Sequence, residues 1–130
     1  MIYSCFILGN RYKYTSFNWK TALTKLKKEN DSLLHVEEIN MNTIEEIKEF
    51  IMDKFEGDIE LVTTSTIHDP DIKDLSYHVS IVLPEYIGFS DLHEEIKNIK
   101  KTKIKKYKKC LKYFDLSERD PMLYSIAYRK

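Results

Sequence analysis

Glycine occurs only at positions 9, 57 and 88, proline only at 70, 84 and 121, and cysteine only at 5 and 110. Three isolated glycines cannot build a glycine-rich phosphate loop, whose backbone amides need neighbouring residues without side chains. Cys5 and Cys110 lie at opposite ends of the chain and supply neither a disulfide framework nor a zinc knuckle. We expect both to be reduced packing residues. No apolar run approaches the roughly 18 residues needed to cross a bilayer. The start, residues 1–9, is apolar but has no basic segment and no small-residue cleavage site. We read it as a strand, and the protein as cytoplasmic, in the host-cell cytoplasm if viral. Ala and Arg are also scarce, at 2 and 3, whereas Lys and Ile number 18 and 15. That bias follows AT-rich codons and suggests a low-GC bacterium, a virus or a mobile element.

What is present in excess is charge, and it is segregated. The net charge is zero, yet residues 1–96 sum to −9 while Lys97–Lys112 carry nine lysines and no acid. Segregation of this kind favours an anionic partner and speeds encounter with it. At 130 residues the chain fits a single domain, 1–130, with a real core.

The hydrophobic pattern predicts an α+β domain in the order ββαβαββαβ, with a mixed sheet of about five to six strands covered by three helices. Ile2–Leu8 and Arg11–Phe17 flank Gly9-Asn10, which suits a two-residue hairpin turn. Asn18 caps a helix with Trp19, Ala22, Leu23 and Leu26 on one stripe. Leu33–Ile39 reads as a strand. Thr43 and Glu46 form a capping box ahead of Ile44, Ile47, Ile51 and Phe55, and Gly57 is the stop. Ile59–Ile67 and Tyr77–Leu83 alternate as strands around the polar loop His68–Ser76, with Pro84 closing the second. Ser90 caps a third helix whose stripe falters between Ile99 and Ile104. That irregularity predicts a break near Thr102 and leaves the lysine block partly open to a strand. Met122–Tyr128 alternates as the last strand.

Four groups carry candidate chemistry. Lys97, Lys100, Lys101, Lys105, Lys108 and Lys112 flank an apolar stripe and can reach successive phosphates. Tyr107, Tyr113 and Phe114 would then offer ring faces to unpaired bases. The same pattern also describes the solvated face of an amphipathic helix with core aromatics, or a surface matched to the chain's own acidic regions or to those of a second copy. His78-Val79-Ser80 resembles half the signature of the two-histidine phosphoesterases. Their chemistry sets one imidazole as base against another as acid. His35, His68 and His93 supply no second His-x-Ser/Thr, so the resemblance covers three residues and implies at most His78 and Ser80 as catalytic candidates. Period two makes His78 a half-buried structural residue.

His68, Asp69, Asp71 and Asp74 are spaced for a hard cation, but the glycine and distal glutamate of a calcium loop are missing. Asp71-Ile-Lys73 with Asp58 or Glu60 resembles the acid…acid-x-Lys set of metal-dependent nucleases, in which the lysine acts on the attacking water. Asp and Pro are, however, ordinary loop residues. No Ser or Cys has the local signature of a nucleophile, and no cofactor is expected.

The sequence-level expectation is a non-enzymatic binding or inhibitory accessory protein of a virus or mobile element. It would engage a macromolecular partner, a protein first of all, through its charge-segregated surface. Glu37, Glu38, Glu45, Glu46 and Glu49 would meet a basic target. A nucleic-acid-binding regulator using Lys97–Lys112 is the alternative. A small phosphodiesterase or nuclease centred on His78 or the Asp69–Asp74 loop is the third.

Overall fold

The structure, a computed structural model, describes residues 2–84 and 89–129, with side chains for 5–84 and 91–127. Among these, four strands and four helices follow one another as β1 (Ile2–Lys13), α1 (Trp19–Glu29), α2 (Met41–Lys54), β2 (Ile59–Thr64), β3 (Ser76–Ile81), α3 (Phe89–Lys97), α4 (Lys101–Tyr113) and β4 (Met122–Arg129). The strands form one sheet in the order β2-β3-β1-β4, and every neighbouring pair is antiparallel. The α+β class therefore holds, but the sheet is antiparallel rather than mixed, with four strands and four helices in place of five to six and three. β1 and β2 run parallel with β3 between them, and β3 and β4 run parallel with β1 between them. Each helix pair thus crosses over within a split βαβ unit, and the two units interleave.

One apolar cluster joins Leu8, Tyr12, Ile59, Leu61, Tyr77, Val79 and Ile81 of the sheet to Leu26 of α1, Ile44, Ile47 and Ile51 of α2, and Tyr107 and Leu111 of α4. The helical stripes at spacings of three and four, and the strand alternation at two, are what bring these faces together. Phe17 sits at the centre of an aromatic group. Its ring stacks on Trp19 at 4.9 Å and meets Phe114 edge-on at 5.1 Å and Tyr77 at 5.4 Å.

Several local expectations are corrected. Gly9-Asn10 is not a turn, because β1 continues through it as one strand. Asn10 is buried in mid-strand, where its Nδ2 donates to the Tyr107 hydroxyl and to the Asp120 carbonyl. A Cβ on Gly9 would lie 1.8 Å from the Val79 carbonyl oxygen, so glycine serves close backbone approach rather than reversal. Leu33–Ile39 forms no strand. Asn30 caps a 3-10 turn at Asp31–Leu33, and Leu33 and Val36 bury themselves three residues apart. Asn40, not Thr43, caps α2, accepting the Thr43 amide at 2.9 Å, while the Thr43 hydroxyl turns back to the Glu38 carbonyl. β2 ends at Thr64 and β3 at Ile81, both short of their expected ends. The helix break falls at residues 98–100 instead of near Thr102, and the lysine block beyond it is helix throughout. The cap assigned to Ser90 concerns a side chain outside the described residues.

Candidate anion-binding surface

α4 begins without a side-chain cap and carries Lys101, Lys103, Lys105, Lys106, Lys108, Lys109 and Lys112. Tyr107, Cys110 and Leu111 are its buried residues, so packing on the sheet fixes which lysines face outward. Lys101, Lys105, Lys109 and Lys112 are exposed at spacings of four, four and three, one turn apart on one side of the helix. At 1.5 Å per residue the row is about 16 Å long. Lys97 and Lys100, also exposed, extend it towards α3.

Two of the nine lysines are neutralised by the molecule itself. Lys106 Nζ lies 2.8 Å from Asp58 and 3.5 Å from Glu56, and Lys108 Nζ lies 3.2 Å from Asp120. The bond from Lys106 holds the Asp58 carboxyl below its ordinary range, helped by the charges of Lys103 and Lys100. Among the described residues the other seven, Lys97, Lys100, Lys101, Lys103, Lys105, Lys109 and Lys112, make no ion pair.

The row ends in a cleft of about 360 Å³ where α1, α2 and α4 converge, lined by Lys25, Lys54, Phe55, Lys109, Lys112 and Tyr113. Lys25 is bound to Asp115 at 3.0 Å and Lys54 to Glu29 at 3.1 Å. Lys54 also lies 4.6 Å from the Tyr113 ring centroid, and the Tyr113 hydroxyl bonds Glu29. These contacts lower the Glu29 pKa, the Tyr113 hydroxyl first and Lys54 second. Lys109 and Lys112 remain uncompensated in the cleft. The contributions of Lys25 and Lys54 come from separate helices and were not legible in spacing; only their position towards the helix C-termini hinted at a shared end.

The aromatic part of the nucleic-acid expectation is corrected. Tyr107 and Phe114 are fully buried in the core and present no ring face to a base. Tyr113 is half-buried, with Phe55 edge-on at 6.4 Å and Lys54 above it. What α4 offers is charge without a stacking platform.

The acidic candidates lie elsewhere. Glu37, Glu38, Glu45 and Glu49 are exposed and Glu46 is half-buried, with Glu45 tied to Lys48 at 3.2 Å. Leu34 and Met41 are exposed in the same stretch, at 60% and 43%.

His78 is 1% exposed rather than half-buried. Its Nδ1 lies 2.7 Å from the Tyr124 hydroxyl and its Nε2 3.1 Å from Thr64 Oγ1. Burial, reinforced by the Arg11 charge, pushes its pKa down to about 4, so the ring is neutral at pH 7. Ser80 Oγ is engaged by the backbone of Leu8 and Ile81. His78 and Ser80, two residues apart on β3, are thus held in place, and among the described residues no second histidine joins them.

In the 68–74 loop, His68 and Asp69 are exposed and 3.5 Å apart, while Asp71 accepts the Asp74 amide at the start of a 3-10 turn. Among the described residues no three of His, Cys, Asp and Glu come together as metal ligands. Asp58, the acid of the nuclease-like set, is held by Lys106 instead. Cys5 is half-buried and Cys110 buried, both with free thiols, and burial drives the Cys110 pKa up to about 12. Neither is a poised nucleophile. Among the described residues no helix is long and apolar enough to cross a membrane.

No family model matches the chain, and comparison with curated proteins and with solved structures found no match.

Proposed function

We propose that this chain is a non-catalytic binding protein that holds a polyanionic macromolecule, best read as a nucleic-acid backbone, along α4. One observation carries the reading: four exposed lysines, Lys101, Lys105, Lys109 and Lys112, stand one turn apart, and among the described residues no carboxylate pairs with them. Lysine is a mobile point charge suited to phosphate contacts but depleted from the centres of protein interfaces. The absence of free ring faces on α4 points to backbone contacts, which position a nucleic acid without reading its sequence. Binding of this kind falls with salt at a log–log slope of about −0.9 per phosphate neutralised on duplex. Four contacts therefore correspond to a slope of about −3.6. The test is titration of a labelled duplex over a salt series, with Lys101, Lys105, Lys109 and Lys112 changed to glutamine singly and together. Affinity that is insensitive to salt, or unchanged in the quadruple variant, overturns the reading.

A second reading has its own observation. Leu34 and Met41 are exposed beside Glu37, Glu38, Glu45 and Glu49, a mixed apolar and acidic surface suited to a basic protein partner. An accessory or inhibitory role would act there. Capture of a partner that is lost on Leu34→Ser with Met41→Ser, and kept when α4 is altered, distinguishes it from the first.

A further inference from the structure

The sheet face opposite α1, α2 and α4 carries a second cleft, and its origin lies in Gly9. β1 pairs with β3 over Leu8–Lys13 and with β4 over Ile2–Gly9, so it hands over from one neighbour to the other at Gly9. His78 pairs with Arg11 and Tyr124 with Ile7. In a flat sheet those positions lie about 13 Å apart along the strands and two strands across, too far for their side chains to meet. Yet the two are hydrogen-bonded at 2.7 Å. β1 therefore bends at Gly9, and β4 folds towards β3 and β2 over that face.

The fold leaves a cleft of about 330 Å³ between Ser125–Ala127 of β4 and the adjoining ends of β2 and β3. Arg11, Thr66, Ser76 and Ser125 line it, with His78 and Thr64 on its wall. Among the described residues the Arg11 guanidinium makes no ion pair, and its charge bears on both His78 and Tyr124. The hydroxyls of Thr66 and Ser76 likewise lack a side-chain hydrogen bond, whereas Ser65 is spent on Ile67 and Thr64 on His78. One fixed positive charge, with two hydroxyls that can turn as donors, is a set for an oxyanion. Asp74, also on the wall, favours a ligand that still carries an acidic proton or a hydroxyl to donate to it. A hard cation is disfavoured by Arg11 in the same volume.

We propose that this cleft binds the phosphoryl group of a small molecule, with Arg11 as its charged anchor and Thr66 and Ser76 as hydroxyl donors. The His78–Thr64 and His78–Tyr124 bonds position the wall and are not offered as chemistry. The site lies across the sheet from the α4 row and stands or falls separately from it. The test is an amide-resolved NMR titration of the full chain with inorganic phosphate and, separately, with methyl phosphate. Saturable shifts at Arg11, Thr66 and Ser76 with either probe support the site, and the tighter probe tells whether it takes the free ion or the ester. Arg11→Ala, at an exposed position, should weaken binding about tenfold or more, the loss expected for a charge-assisted hydrogen bond. Lys105→Gln with Lys109→Gln should leave it unchanged. Shifts confined to α4, no saturation with either probe, or binding indifferent to Arg11→Ala in a variant whose spectrum is otherwise native would overturn the proposal.

Discussion

Gly9 and His78 show how much a single side chain, or its absence, decides in this sheet. Alanine at position 9 would put a carbon 1.8 Å from a backbone oxygen that cannot move without breaking the β1–β3 ladder. Gly9→Ala should therefore cost about 3 kcal/mol or more in chemical denaturation. Gly57→Ala meets no atom and suffers only its positive φ, a loss of about 1 kcal/mol. Equal losses at the two sites would contradict the bend. For His78 the sign follows from its depressed pKa. The unfolded chain takes up the proton near pH 6.5 and the folded chain only near 4. The neutral ring's contribution is thus intact above 6.5 and drains away as pH falls from there to about 4, by at most about 1.4 kcal/mol per pH unit. His78→Gln should flatten that part of the stability profile. A variant with the wild-type slope between pH 6.5 and 4 would show that the imidazole is not withheld from protons.

Among the elements, those with a strong period were legible and those set by distant partners were not. α1 and the apolar face of α2 follow from stripes at three and four, and β3 from alternation. β1 was misread because Gly9-Asn10 has the chemistry of a turn. Its mid-strand place depends on Tyr107 and Asp120, about a hundred residues away. Leu33–Ile39 looked extended, yet its apolar residues satisfy an i, i+3 burial that seven residues cannot distinguish from a strand. The lysine row was visible as charge, but its helical spacing followed only once Tyr107, Cys110 and Leu111 were seen to face inward. Phe114, just beyond α4, tests that docking. Phe114→Ala removes a ring packed on Phe17 and, at 6.0 Å, on Trp19. It should cost about 3–5 kcal/mol and change the emission of Trp19, the chain's one tryptophan. A stable variant with native emission would mean that α4 is not anchored there.

For the molecule as a whole, the zero net charge conceals a cationic helix on a chain that is otherwise acidic. The ion pairs of Lys106 and Lys108 take up part of that charge, and the exposed row keeps the rest. Acidic groups elsewhere on the surface would repel a polyanion, which confines contact to α4 and makes binding depend on salt. The most direct measurement is the dissociation constant of a DNA duplex from about 50 to 200 mM salt, for the wild-type chain and the Lys101, Lys105, Lys109 and Lys112 to Gln variant. Weakening of the wild type with a slope of about −3.6, and a slope close to zero in the variant, is the predicted result. A wild-type chain that binds no duplex at low salt, or a variant that binds as well as the wild type, would contradict it.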